Sequence, residues 1–225
     1  MALSRDKAEG RPPLPAIEAG TYAVRLCRVY DLGIQQGEWK GEKKRGNQIY
    51  VIFEFTDQFM PGENGVPNTS LPRVSGKFIK LYRNAEKGIE YEFCRALDPA
   101  GTYNGDWAAM VRARLPALAT VIVNEKGRDQ IDSLAGIPRG FNIPEGIVEI
   151  QTFDLDNPDK AVWDKIPAFI KTKISERIRD EDLPPVKYQR TEAEAKVSPE
   201  EVGTVGTDGS ITNENTEVSE DDVPW

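Results

Sequence analysis

Two groups of residues in this chain combine flat rings with cations. Trp39 stands amid Lys40, Lys43, Lys44 and Arg45 in a glycine-rich stretch. Phe78, Lys80 and Tyr82 alternate along a β-like run, and Tyr50 lies in the run before it. Rings offer faces for unpaired bases and cations track phosphates, so this combination suits single-stranded nucleic acid. A plainer reading has the rings packed under helices and the lysines in a solvated loop.

The other candidate chemistries fail on residue type or spacing. The chain has no histidine, which removes Ser-His-Asp and Cys-His catalysis, histidine metal sites and the usual neutral-pH general base. Cys27 and Cys94 are its only two cysteines and cannot form a four-ligand zinc site or a CxxC pair. The run GEKKRG from Gly41 to Gly46 has the glycine spacing of a P-loop, yet Asn47-Gln48 follows where Lys-Ser/Thr is required. Asp154, Asp156 and Asp159 open like a calcium loop, but Pro158 and Lys165 occupy the fifth and twelfth positions. Those acids are expected to flank a strand end and cap the last helix. No catalytic residue, metal or cofactor is expected, and the chain reads as a binding protein.

The elements that would position the rings follow from periodicity. A first strand is expected over Thr21–Asp31, followed by a long loop from Gly33 to Gly46. In a second strand, Asn47–Phe55, residues Ile49, Val51, Phe53 and Phe55 share one face, while Gln48, Tyr50, Ile52 and Glu54 share the other. A turn-rich connection, Asp57–Pro72, leads to a third strand, Val74–Tyr82. Ile89, Phe93 and Leu97 recur at helical spacing between Asn84, a candidate N-cap, and the stop Asp98-Pro99. Asp106 should cap a second helix carrying Trp107, Met110 and Val111 on one face and ending at Leu115-Pro116. A buried strand, Leu118–Asn124, a turn-rich stretch, Glu125–Gly146, and a last strand near Ile147–Leu155 follow. Trp163, Ile166, Ile170, Ile174 and Ile178 then keep helical register within Asn157–Arg179, with Pro167 either tolerated near the start or splitting the segment. The order lacks βαβ alternation and leaves a mainly β fold with a few helices. A five-stranded OB-type barrel with a C-terminal helix is one option among small barrels and sandwiches.

The chain has 225 residues and a formal charge of −8, and the charge is unevenly spread. From Thr191 to Trp225 ten acids face one base, whereas Met1 to Arg190 holds 28 bases and 27 acids. Such a polar, acidic segment cannot offset its ordering entropy by burial. The expected organisation is therefore a flexible arm over 1–19, a folded domain over 20–180 and a disordered acidic tail over 181–225. The chain closes on Asp221-Asp222-Val223-Pro224-Trp225, a ring behind acids that suits docking into a partner's pocket; the alternative is a solubilising tail. No run is apolar and long enough for an export signal or a membrane span. The expected protein is soluble and intracellular, with its two thiols reduced.

Scattered short runs bring a family into view. Gly20-Thr21-Tyr22 with Arg25, Asp31-Leu32-Gly33, Phe53-Glu54-Phe55, Ile137-Pro138-Arg139-Gly140-Phe141-Asn142-Ile143-Pro144, Phe153-Asp154-Leu155-Asp156 and Trp163-Asp164-Lys165-Ile166-Pro167 are such runs. Over residues 18–180 the chain resembles the bacteriophage single-stranded DNA-binding proteins of the OB-fold type. In that family the 137–144 run is a basic loop. The region 83–116 departs from the family, with Asp98–Asp106 specific to this chain. The last five residues look like the acidic tip of bacterial single-stranded DNA-binding proteins, with tryptophan in place of phenylalanine.

The resemblance implies a non-enzymatic protein that protects and organises single-stranded DNA during phage replication or recombination, in the cytoplasm of a bacterial host. Bases would stack on Tyr50, Phe78, Tyr82 and Trp39; phosphates would meet Lys40, Lys43, Lys44, Arg45 and Lys80. The tail would recruit replication or recombination proteins through Asp221, Asp222, Val223, Pro224 and Trp225. The rival classes are a protein-interaction module with a solubilising tail and a metal-dependent nuclease. Oligomeric state is not legible in the sequence.

Overall fold

Alternation of β-branched and aromatic residues builds the frame of a mainly β molecule. The computed structural model describes residues 15–39, 41–62, 65–81 and 88–179. Its elements are β1 (Gly20–Trp39), β2 (Glu42–Pro61), β3 (Pro67–Lys80), α1 (Ile89–Leu97), α2 (Trp107–Arg112), β4 (Pro116–Val123), β5 (Asp129–Ala135), β6 (Gln151–Phe153), α3 (Lys160–Lys165) and α4 (Ala168–Ser175). Five strands follow the order β3-β2-β1-β4-β5, with antiparallel neighbours, and β6 pairs in parallel with β1. The sheet therefore has six strands rather than five, and no backbone ladder joins β3 to β5 among the described residues.

The open seam between β3 and β5 is bridged by side chains. The Lys77 ammonium donates to the carbonyls of Ile131 at 2.7 Å and Asp132 at 2.8 Å. Arg73 pairs with Asp129 at 3.2 Å. The same Asp129 carboxylate accepts the Ile17 amide, and Arg73 donates to the Pro15 carbonyl. Residues 15–17 are thus tied to β3 and β5, and Ile17 is buried, although the composition of 1–19 suggests a free arm throughout.

Two cores lie on opposite faces of β1 and β2. Ile49, Val51, Phe53 and Phe55 point inward, as their alternation requires, and pack with Val24, Leu26, Val29 and Ile79. Phe93 and Leu97 of α1 and Trp107, Met110 and Val111 of α2 close this core. Asp106 caps α2, accepting the Ala109 amide at 2.9 Å. The second core is Cys27, Tyr30, Leu32, Ile52 and Phe153, covered by Ile166, Ile170 and Ile174. Two register shifts in β1, between Leu26 and Arg28 and between Asp31 and Gly33, leave Cys27 and Leu32 as extra residues, both fully buried in this second core.

Several expected boundaries move. The stretch Gly33–Gly46 is not a loop: β1 and β2 continue through it as a two-stranded ribbon, paired out to Trp39 and Glu42. Only positions 40 and 41 separate that last pair, and Gly41 adopts φ +82°, as a tight hairpin turn demands. Much of Asp57–Pro72 is also strand, because β2 runs to Pro61 and β3 starts at Pro67. The turn-rich span Glu125–Gly146 contains β5, which has one fully buried apolar side chain, Ile131. The last strand shortens to Gln151–Phe153. The α1 N-cap is Gly88; Asn84 lies outside the described residues. Pro167 splits the C-terminal helix: α3 ends at Lys165 with Ile166 as its extended C-cap, and α4 starts at Ala168.

The described residues up to Arg177 form one compact unit, and Ile178 and Arg179 belong to a second. The whole of the expected tail, 181–225, with Asp221, Asp222, Val223, Pro224 and Trp225, lies outside the described residues. No described helix is long and apolar enough to cross a membrane.

Candidate nucleic-acid interface

The outer faces of β2 and β3 carry the rings that the sequence singles out. Tyr50 and Phe78 are cross-strand partners, so strand alternation puts them on one face with Lys80 two positions farther along β3. Their ring centroids are 4.6 Å apart at a 50° tilt. Phe78 remains 40% exposed. Tyr50 is half-buried at the rim of the second core, and burial raises the pKa of its phenol, with Tyr30 adding to the effect. Its ring lies across Gly76: a Cβ there would stand 2.2 Å from the phenol oxygen. Glycine at 76 is what lets Tyr50 lie down on β3 beneath Phe78.

The cations divide differently from the sequence expectation. β2 has no extra residue between Glu42 and Phe55, so parity places Lys44 on the face of Tyr50, with Lys43 and Arg45 on the opposite face. Lys44 forms an ion pair with Glu42 at 2.8 Å, and this contact lowers the Glu42 pKa. Lys43 and Arg45 are exposed. The Lys80 ammonium rests against the ribbon backbone, 3.2 Å from where a Gly37 Cβ would be. Trp39 is paired at the ribbon's end, and its side chain is outside the described set. Lys40 and Tyr82 lie outside the described residues as well.

Beside the rings, a long segment is strapped across the outer face by two register partners, Arg25 on β1 and Glu54 on β2. Both are buried, at 8% and 2% exposure. The Arg25 guanidinium donates to the carbonyls of Ile143 (2.8 Å), Pro144 (2.6 Å) and Arg114 (3.0 Å). Glu54 accepts the amides of Ile147 (2.7 Å) and Val148 (3.1 Å) and faces Arg114 Nη1 at 3.6 Å. A buried charge requires such partners. The strap holds the 137–144 run against the sheet, with Arg139 and Phe141 exposed and Ile143 buried. The composition signals missed this pair, because each residue reads as an ordinary surface charge until its partner segment is placed.

The groups set aside on sequence grounds are occupied in the fold. Asp154 accepts the Asp156 amide and Asp159 accepts the Ala161 amide at the start of α3. Among the described residues no group of three His, Cys, Asp or Glu side chains could hold a metal ion. Both cysteines are free thiols, and burial pushes each pKa up to about 12. At neutral pH they stay protonated and are poor nucleophiles. No family model, curated protein or solved structure matches the chain.

Proposed function

We propose that this chain is a non-enzymatic single-stranded DNA-binding protein of phage replication or recombination, built on an OB barrel whose last seam is closed by side chains. The strand path β3-β2-β1-β4-β5, with the helices α1 and α2 between β3 and β4, supports the barrel reading. The observation that carries the function is the exposed Phe78 ring over Tyr50, flanked by Lys80 and by a protruding ribbon that bears Lys43, Lys44 and Arg45. Unpaired bases would stack on the rings while the cations follow the phosphates. A near-neutral body is compatible with this role, because local placement of charge governs attraction.

A mobility shift with a labelled oligonucleotide tests the proposal. The expected result is a retarded, intact strand with or without magnesium. Free oligonucleotide at micromolar protein would favour a protein-interaction module, and magnesium-dependent loss of the strand would favour a nuclease.

We assign the acidic tail to partner recruitment in the bacterial cytoplasm. Removing Val223, Pro224 and Trp225 retains all ten acids of the tail, so DNA affinity should stay within twofold. Capture of purified replication proteins should be lost if the ring fills a pocket. Equal capture by both forms would reject the terminal docking peptide.

A further inference from the structure

We infer that Phe169 on α4 is a further base-stacking ring of this face, so that a DNA strand crossing β2 and β3 continues onto the C-terminal helices. This depends on the single-strand reading above and extends it to an element that sequence patterning assigns only to packing.

Phe169 is 52% exposed, more than Phe78. The helix does not need it for its core: α4 buries Ile170 and Ile174, and position 169 lies about 100° around the helix from Ile170. Phe169 nevertheless meets the ring cluster, its centroid 5.6 Å from that of Tyr50 at an interplanar angle of 88°. An edge-to-face contact covers at most one face of the Phe169 ring. Tyr50 is thereby a half-buried support touched by two exposed rings, one from β3 and one from α4.

Charge placement indicates the occupant. Lys80 follows Phe78 by two positions on the same strand face, and Lys173, four positions after Phe169, lies on the same side of α4. Lys173 pairs with Glu176 at the surface, whereas Lys171 points the other way, donating to the Asp164 carbonyl over the Trp163 ring. Exposed rings with cations on both contributing elements fit a polyanion that carries flat bases.

The test is an anisotropy titration of the full chain with fluorescent oligo-dT at fixed salt. Phe169→Ala should weaken binding on the order of tenfold. Phe169→Leu, which keeps apolar bulk without a ring, should lose as much, and Phe169→Trp should bind at least as tightly as the parent. Thermal melting should be unchanged for all three. Wild-type affinity in both Phe169→Ala and Phe169→Leu, with Phe78→Ala weakened, would overturn the assignment of Phe169 alone. Wild-type affinity in Phe78→Ala as well, or no binding by the parent, would overturn the whole face.

Discussion

Replacing Lys43, Lys44 and Arg45 together by alanine should flatten the salt dependence of DNA binding. For single strands each lost phosphate contact lowers the log–log slope by about 0.7, so three lost contacts lower it by about 2. The ribbon makes this separable from a folding defect. It stands beyond the last β2–β3 pair, Gln48 with Lys80, and Lys43 and Arg45 are exposed. Lys44 is held by Glu42, also exposed, and surface pairs of this kind contribute little to stability. The melting temperature should therefore hold while affinity falls most at low salt. An unchanged slope would remove the ribbon from the DNA contact.

Glu54→Ala should instead damage the fold, by about 3 kcal/mol in urea denaturation. The substitution strips the acceptor from two backbone amides, Ile147 and Val148. It also removes the carboxylate 3.6 Å from Arg114 Nη1, a buried atom without a hydrogen-bond partner among the described residues. Breaking one side of a buried pair costs about 3–5 kcal/mol, and the partial exposure of Arg114 puts this case at the low end. Glu54→Gln keeps one acceptor oxygen and should lose less. Amide exchange at Ile147 and Val148 should quicken in both variants. A Glu54→Ala midpoint equal to that of the parent would mean that the strap does not stabilise the sheet.

These two sites differ in how visible they are before folding. The ribbon cations could be noticed from composition alone, since four bases crowd Lys40–Arg45. Their arrangement could not: glycines at 33, 37, 41 and 46 read as loop, whereas the pairing of β1 with β2 overrides that propensity and sorts the cations by parity. Strand β5 was hidden for a related reason. Its sequence, DQIDSLA, has one fully buried apolar residue, so no alternation announces it, and pairing with β4 makes it a strand.

What the sequence determined by itself is the local grammar. The alternation of Ile49, Val51, Phe53 and Phe55, the Asp106 cap, the face of Trp107, Met110 and Val111, and the spacing of Ile170 and Ile174 all act within a few residues. Their outcomes follow from strand and helix geometry whatever the rest of the chain does. The tertiary structure alone decided which distant groups meet. Arg25 and Glu54 reach their partners across 89 to 119 positions, and Lys77 crosses 54 to bridge the open seam. Phe169 joins Tyr50 only because Pro167 breaks the helix and Ile170 seats its second half on the outer face of β1 and β2. Such contacts depend on the free energy of burying a whole surface, which no short window of residues contains.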